Sequence, residues 1–368
     1  MIYLNNAATS WPKPEPTVLK LQSFWGESPR LWDEQYEASK KTICDFFAIN
    51  DPSRFIVTSG ATASIDMVFS GMDWNEGDIV ITGSYEHHAI AGWEYRLREN
   101  FGVKFKKIKS TATDIFDLST FENYIRKNRS RVKLVAFTQA SNVTGDVLPA
   151  QDILDLCRKY QIPSLLDGAQ TAGILDISIE KLKPDFFTFA GHKGTMGPHG
   201  IGGLYISDNS GIKFPDVNFG TERCHNMAGH CDVGSTNLEG MVALASSMKY
   251  LGNIGFDEIA KKRNMLNTRL YKGLDSLENV EIISKSRLNR TYAIAFKVKN
   301  APVTAIIEKL TERECIIGSG FFCCSQAHIE LGTQDEGVLR ISPGLFTSSD
   351  EIDRFFDILK EIISEPLN

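Results

Sequence analysis

The chain has 368 residues, 42% of them hydrophobic and 23% charged, and its formal net charge at pH 7 is -6. These values are close to globular averages, which excludes a disordered, collagen-like or coiled-coil protein. The negative charge creates no broad positive field, so neither nucleic acid nor an anionic membrane is expected as a partner.

The N-terminal stretch MIYLNNAATSWPKP lacks the charged and apolar regions of a signal peptide. No run in the chain approaches the roughly 18 apolar residues of a membrane-spanning helix. Seven cysteines, an odd number in a long chain, fit a reducing compartment better than a disulfide framework. We therefore expect a cytoplasmic protein.

In the first 190 residues, short apolar runs alternate with segments of helical period. The predicted strands are 54–58, 78–82, 103–108, 133–138, 162–167 and 186–190. The predicted helices between them lie near 61–72, 87–100, 118–128 and 150–160. This alternation predicts an α/β fold with a mostly parallel central sheet.

After about residue 239 the pattern changes to longer helices and fewer strands. The predicted helices are 239–252, 256–278, 302–313 and 349–363, and the predicted strands are the runs VEIIS, TYAIAFKV and GVLRIS. This pattern predicts a smaller α+β domain that packs with the N-terminal strand. We expect residues 12–245 to form the large domain, and residues 1–11 with 246–368 to form the small one.

Polar residues follow five of the predicted strands in the first half of the chain. In parallel sheets, ligands bind beyond the carboxyl ends of the strands, so these residues should line a binding site. They are residues 59–62, 86–88, 141–142, 167–170 and 191–193.

Lys193 and Asp167 follow two successive strands and suggest a specific chemistry. A desolvated lysine amine can form a Schiff base, and its usual aldehyde partner in enzymes is pyridoxal phosphate (PLP). A carboxylate such as Asp167 would keep the ring nitrogen of that cofactor protonated. The structural alternative is an aspartate that caps a turn and a lysine that extends to solvent.

Two further segments could complete such a site. TSGATAS, residues 58–64, is a small-residue turn that enters a helix, so its N–H groups and the Ser59 and Thr62 hydroxyls could bind a phosphate. His87 follows another strand and could stack on the cofactor ring and transfer protons. A structural turn and a structural histidine remain the alternatives.

The ordered motifs resemble the cysteine desulfurase and selenocysteine lyase branch of the class V aminotransferases, PLP enzymes of aspartate aminotransferase-like fold type I. The motifs span nearly the whole chain: YLNNAAT, TSGAT, EHH, SNVTG, DGAQTAG, GHKGTMGPHGIGGLY, GSTN, GFFCCSQAHIELGT and GVLRISPGLFTSSDEID. The resemblance implies PLP as cofactor and a homodimer with a shared active site.

The resemblance also implies a role for each matching residue. Lys193 would be the Schiff-base lysine, and Asp167 would pair with the ring nitrogen. The remaining cofactor residues would be Gln170 at the ring hydroxyl, His87 on the ring face, and Ala61, Thr62, His192 and the second subunit's Ser235 at the phosphate. Asn142 and Arg340 match the residues that hold the amino-acid carboxylate, and arginine offers a planar bidentate fork for that group.

By the same resemblance, Cys323 would be the nucleophile that takes sulfur from L-cysteine as a persulfide, leaving L-alanine. The adjacent Cys324 is the alternative thiol. A protein that accepts the sulfur would be a further partner. A related selenocysteine lyase, C–S β-lyase or aminotransferase that does not use the loop cysteine is the alternative function.

The chain departs from the family pattern at several positions. Gly318 and Phe322 replace an arginine and a histidine in the cysteine loop, and the apolar loop should raise the thiol pKa. Ala190 replaces a hydroxyl residue before GHK, and SPRLWDEQYEAS lacks the family's Arg-Gly-x-His segment. The cluster CHNMAGHC, with Cys224, His225, His230 and Cys231, has no standard zinc spacing, so no metal is expected.

Overall fold

The structure is a computed structural model that describes residues 1–111, 114–208, 210 and 236–365. This part of the chain contains two sheets. The first strand, β1 (Ile2–Leu4), belongs to the smaller sheet. The next seven form the larger sheet: β2 (Phe55–Thr58), β3 (Ile79–Gly83), β4 (Lys104–Ile108), β5 (Val132–Thr138), β6 (Ser164–Asp167), β7 (Phe186–Ala190) and β8 (Gly202–Ile206).

The larger sheet has the strand order β2-β8-β7-β6-β5-β3-β4. Neighbouring strands from β7 to β4 are parallel, and β8 is antiparallel to both β2 and β7. The predicted α/β class with a mostly parallel sheet is therefore confirmed, as are all six strands predicted in the first half. The apolar pattern does not predict β8, because its first two residues are glycines.

Helices cover both faces of the larger sheet. In the first half of the chain they are α1 (Glu15–Phe24), α2 (Trp32–Phe46), α3 (Ala61–Ser70), α4 (His88–Ala91), α5 (Trp93–Phe101), α6 (Leu118–Asn128), α7 (Ala150–Tyr160) and α8 (Ile179–Leu182). Successive strand residues enter different cores: Val80 and Leu165 pack into one, and Ile81 and Leu166 into the other. The central strands β3, β5, β6 and β7 are buried on both faces, which explains their continuous apolar runs.

The smaller sheet has the order β1-β11-β12-β10-β9, where β9 is Val280–Ile282, β10 is Ile294–Val298, β11 is Cys315–Gly320 and β12 is Val338–Ile341. The N-terminal strand β1 pairs in parallel with β11. The later helices are α9 (Leu238–Ile254), α10 (Phe256–Asp275), α11 (Val303–Glu312), α12 (Ser325–Leu331) and α13 (Ser349–Ser364). Helix α9 runs through the domain boundary that we predict at residue 245, and the division at that residue stays a prediction.

The loop after β5 connects the two sheets. Thr291 N–H donates to the Gly145 carbonyl at 2.8 Å, and the buried Arg290 donates to the Thr144 carbonyl at 2.8 Å. Asp146 accepts backbone N–H bonds from Lys285 and Ser286. These bonds fix the loop that carries Asn142 to the segment that leads into β10. No helix in the described ranges has both the length and the apolar character needed to cross a membrane.

Gly145→Ala should destabilise the protein by at least about 2 kcal/mol. Gly145 has φ +77°, and an added Cβ would collide with the Ala293 carbonyl oxygen. Urea unfolding would measure the loss. Gly252→Ala is the matched control, since nothing lies within 4 Å of its added Cβ inside α9. The free energy of unfolding of that control should increase by roughly 0.5–1 kcal/mol. An equal effect of the two substitutions would contradict the close packing of Gly145 against Ala293.

Candidate active site

A cavity of about 320 Å³ opens at the carboxyl ends of the parallel strands, a volume within the usual range for small-molecule sites. Eight of the residues predicted from the sequence line it or reach into it: Ala61, Thr62, His87, Asn142, Asp167, Gln170, His192 and Lys193. They come from five different strand ends, brought together because parallel strands end at the same edge of a sheet.

Asp167 lies at the centre of this edge, where the strand register pairs it with Thr138 on β5 and Thr188 on β7. Its carboxylate is 3% exposed and accepts the Ala169 N–H at 2.9 Å. Burial raises its pKa, while the Ala169 N–H and the nearby Lys193 ammonium oppose the rise.

Lys193 follows β7 and lines the cavity. Burial lowers the pKa of its amine, and Asp167 opposes this shift while Arg340 adds to it. No hydrogen bond is formed by the Lys193 amine within the described ranges. A desolvated amine near a buried carboxylate is an arrangement that suits a nucleophilic lysine.

The N-terminus of α3 forms another wall of the cavity. Residues 59–63 line it, and Gly60 is the N-cap of this ten-residue helix. The first N–H groups of a helix have no partner inside the helix and favour an anion. Across the cavity, His192 stacks on His199 with the ring centroids 4.5 Å apart. Burial and the nearby Lys193 lower the pKa of His192 to about 4.

His87 is the N-cap of α4 and is held in a defined tautomer. Its Nδ1 accepts the Ala89 N–H at 3.1 Å, which leaves the proton of the neutral ring on Nε2. Burial and Lys193 lower the pKa of His87 to about 4, so the ring is neutral at pH 7. A neutral imidazole on the cavity wall can stack on a planar ligand.

Arg340 lies on β12 beside the cavity and is 2% exposed. It donates to the Asn142 carbonyl at 2.6 Å and to Asn5 Oδ1 at 3.0 Å, while its buried Nε has no hydrogen-bond partner in the described part of the chain. Burial lowers the pKa of its guanidinium to about 10, and no described carboxylate pairs with it. A buried cation that lacks an acidic partner indicates a site for an anionic ligand.

The two adjacent cysteines of the loop after β11 differ sharply. Cys323 is exposed, and its carbonyl accepts the His88 N–H at 2.8 Å. Cys324 is buried and donates to the Glu86 carbonyl at 3.2 Å. Burial raises the pKa of the Cys324 thiol to about 12, so it remains protonated and shielded at neutral pH. Cys323 is near enough to Lys193 to influence the pKa of its amine.

Sequence reasoning assigned no role to Glu86, which the structure places beneath the cavity. Its carboxyl accepts the Thr138 N–H at 2.7 Å and the Gly83 N–H at 3.1 Å, joining β5 to the end of β3. Burial and Asp167 raise the pKa of Glu86, to about 8, against the effect of these hydrogen bonds. In the sequence, only its position directly before His87 and His88, at the end of a predicted strand, indicates that Glu86 lies near the site.

Two of the predictions concern residues 224–235. Ser235, proposed to reach the phosphate from a second subunit, and the cluster Cys224, His225, His230 and Cys231 lie outside the described residues. Within the described ranges, no group of three or more His, Cys, Asp or Glu side chains is arranged to hold a metal ion.

The fold and the cavity together define an α/β enzyme with a desolvated lysine at the carboxyl edge of its sheet. The family model described as "Aminotransferase class-V" matches residues 2–355. The chain therefore belongs to the class V aminotransferase family of PLP-dependent enzymes.

Similar proteins carry related names. A "Probable cysteine desulfurase" of Pyrococcus abyssi is 27% identical, with the match covering 99% of this chain and 94% of the relative. One of the same name from Borreliella burgdorferi is 26% identical, with 99% and 92% covered. The apo structure of a cysteine desulfurase from Thermococcus onnurineus superimposes with a TM-score of 0.87 at 25% identity, covering 98% of this chain and 94% of that one.

Iodoacetamide should alkylate Cys323 at least about 100-fold faster than Cys324 near pH 7.5, because only a thiolate reacts and the thiol of Cys324 is buried with a raised pKa. Mass spectrometry of the peptide that contains both residues would measure the two rates. Denaturant should make them equal. Comparable rates in the folded protein would show that this loop does not have the described conformation.

Proposed function

We propose that this protein is a PLP-dependent cysteine desulfurase that converts L-cysteine to L-alanine and receives the sulfur on Cys323 as a persulfide. The observation that carries the proposal is the combination of an exposed Cys323 thiol with the cavity that contains Lys193 and Asp167. Buried Arg340, which has no acidic partner among the described residues, adds a site for the substrate carboxylate next to the same loop.

The residues around the cavity fit PLP. Lys193 has the desolvated amine to hold its aldehyde carbon, and Asp167 is the buried carboxylate for its ring nitrogen. The remaining binding residues in this proposal are Gln170, His87, Ala61, Thr62, His192 and, from a second subunit, Ser235. When bound, PLP supplies an electron sink that weakens the bonds around the substrate α-carbon.

Arg340 and Asn142 would orient the substrate. The Arg340 guanidinium can form a bidentate pair with the carboxylate, and its Nε provides a donor that no described residue uses. Asn142 Nδ2 currently donates to the Phe322 carbonyl, so this donor is available if the loop moves.

Lys193 would move protons at its Nζ, since its lowered pKa lets it release a proton more readily than an exposed lysine. Neutral His87 would support the cofactor ring without adding positive charge. In the overall reaction, the substrate C–S bond breaks and an S–S bond forms between its sulfur and Cys323 Sγ. One thiol proton goes to the β-carbon, so that L-alanine leaves and Cys323 retains the terminal S–H.

A PLP-dependent selenocysteine lyase, C–S β-lyase or aminotransferase that does not use Cys323 is the second candidate. The composition of the loop favours it, since Phe321 and Phe322 precede Cys323 and provide no polar group beside it. Such an enzyme would produce pyruvate or exchange keto acids at rates independent of Cys323.

A homodimer with a shared site is part of the proposal. Around α1 and α2, Trp25 is 72% exposed and Trp32 is 44% exposed, both packed against Phe24, and Leu19 and Leu31 are exposed beside them. Several large exposed apolar side chains on two neighbouring segments are typical of an interface in soluble proteins. The free thiols of the described cysteines also support the proposed cytoplasmic location, and exposed Cys323 would be accessible to an acceptor protein.

Cys323→Ser should reduce L-alanine formation from L-cysteine by at least about 100-fold and abolish persulfide, because the sulfur loses its acceptor. Chromatography of alanine and labelling of persulfides would measure both. Cys324→Ser is the matched control and should retain most activity. Lys193→Ala should lose activity together with covalent retention of PLP after borohydride treatment. Unchanged alanine formation by Cys323→Ser would favour the second candidate.

Trp25→Glu should convert the dimer to monomers, because a charge would be buried at the proposed interface. Light scattering after gel filtration would report the mass. The control Leu288→Glu changes a side chain that is 89% exposed, away from α1 and α2, and should leave the dimer intact. A Trp25→Glu protein that remains dimeric would exclude this surface as the interface.

A further inference from the structure

Phe322 covers the residue that we propose to bind the substrate carboxylate. The Arg340 guanidinium carbon lies 4.1 Å from the centroid of the Phe322 ring. This is a cation–π contact in a position where water is excluded, since Arg340 is buried. The ring thus occupies one face of a cation that has no acidic partner among the described residues.

The backbone of the same residue engages the second proposed carboxylate ligand. Asn142 Nδ2 donates to the Phe322 carbonyl at 2.6 Å. Phe322 therefore contacts both Arg340 and Asn142, one through its ring and the other through its carbonyl. A ligand that takes the Asn142 donor must displace the Phe322 carbonyl, and the ring of the same residue shields one face of the Arg340 guanidinium, whose N–H donors lie in the plane of the group.

The space for the ring depends on Gly318. Strand register places Gly318 opposite Arg340, and a Cβ at Gly318 would lie 2.8 Å from Phe322 Cε1 and 3.2 Å from Arg340 Nη2. Any larger side chain would therefore push the ring away from the guanidinium. Gly318 and Phe322, two of the departures noted in the sequence, thus form a single packing arrangement.

The loop is held in this position against its backbone preference. Phe322 has φ +49° and Cys323 has φ +55°, and two successive non-glycine residues in the left-handed region are uncommon and costly. The Cys323 carbonyl is held by the His88 N–H at 2.8 Å, and the His88 ring contacts Ser325 Oγ at 3.1 Å. Release of Phe322 would let the adjacent Cys323 leave this strained conformation.

We propose that Phe322 is a specificity-determining and positioning residue: its carbonyl competes with the substrate carboxylate for Asn142, and its ring shields Arg340 from that carboxylate, so that carboxylate binding releases the Cys323 segment. This inference rests on the proposed function, specifically on carboxylate binding by Arg340. An amine without a carboxylate cannot pair with the guanidinium and leaves Phe322 in place. The loop therefore moves for amino acids and stays closed for simple amines.

Binding of L-alanine and of ethylamine, which is alanine without its carboxylate, tests the competition. Titration of the holoenzyme, followed by cofactor absorbance, should show that Phe322→Ala binds L-alanine about tenfold more tightly, with ethylamine unchanged. Phe322→Leu keeps apolar bulk without the π face and should give a smaller gain. Phe321→Ala is the matched control, because its exposed ring packs on His328 rather than Arg340. Equal L-alanine affinities for wild type, Phe322→Ala and Phe322→Leu would overturn the proposal.

Hydrogen exchange at the His88 amide tests the loop movement. This N–H donates to the Cys323 carbonyl, so saturating L-alanine should accelerate its exchange at least about threefold in wild type, while saturating ethylamine should not. Exchange that is unaffected by L-alanine, or equally accelerated by ethylamine, would overturn the coupling.

The variant Arg340→Lys distinguishes a failure of carboxylate binding by Arg340 from a failure of the proposed role of Phe322. If this variant binds L-alanine as tightly as wild type, Arg340 does not bind the carboxylate, and the proposed substrate site is rejected. If it binds L-alanine more weakly while Phe322→Ala binds like wild type, the substrate site stands and the role of Phe322 is rejected. Weaker binding by Arg340→Lys together with tighter binding by Phe322→Ala supports both.

Discussion

The structure depends on placing a lysine amine and a carboxylate, both desolvated, at the carboxyl edge of one mostly parallel sheet. Burial shifts the pKa of Lys193 down and that of Asp167 up, while their mutual attraction opposes both shifts. Two opposite charges can share such a site at moderate cost, whereas either alone would be strongly disfavoured. The rest of the cavity, from the N-terminus of α3 to His87, surrounds this pair.

A second buried cation, Arg340, reaches the same region from the smaller sheet. Its position depends on the loop after β5, which Arg290 and Gly145 connect to the segment before β10. The two sheets therefore contribute different parts of one site: the larger supplies Lys193 and Asp167, and the smaller supplies Arg340 and the cysteine loop. A ligand in this site can therefore contact both sheets at once, and its binding can change the conformation of the cysteine loop.

The two adjacent cysteines of the loop have different environments: the thiol of Cys323 is exposed and that of Cys324 is buried. Cys323 and Cys324 are neighbours in sequence, yet the left-handed backbone at Cys323 leaves its thiol exposed while Cys324 enters the core and bonds the Glu86 carbonyl. Burial is the main reason that Cys324 is unreactive, because it raises the pKa of the thiol and keeps a substrate away from it.

The sequence alone was sufficient to predict the class of fold, the strands that form the parallel sheet and the residues that line the cavity. Those features are local: apolar runs predict buried strands, and strand ends of a parallel sheet share an edge. It did not reveal β8, the role of Glu86 or the contact of Phe322 with Arg340. The glycines of β8 hide it from a search for apolar runs. The other two features join residues that are far apart in the sequence: Glu86 and Thr138 are separated by 52 positions, and Phe322 and Arg340 by 18. Only tertiary packing decides such contacts, because they require two strands or loops to approach at one distance and one orientation.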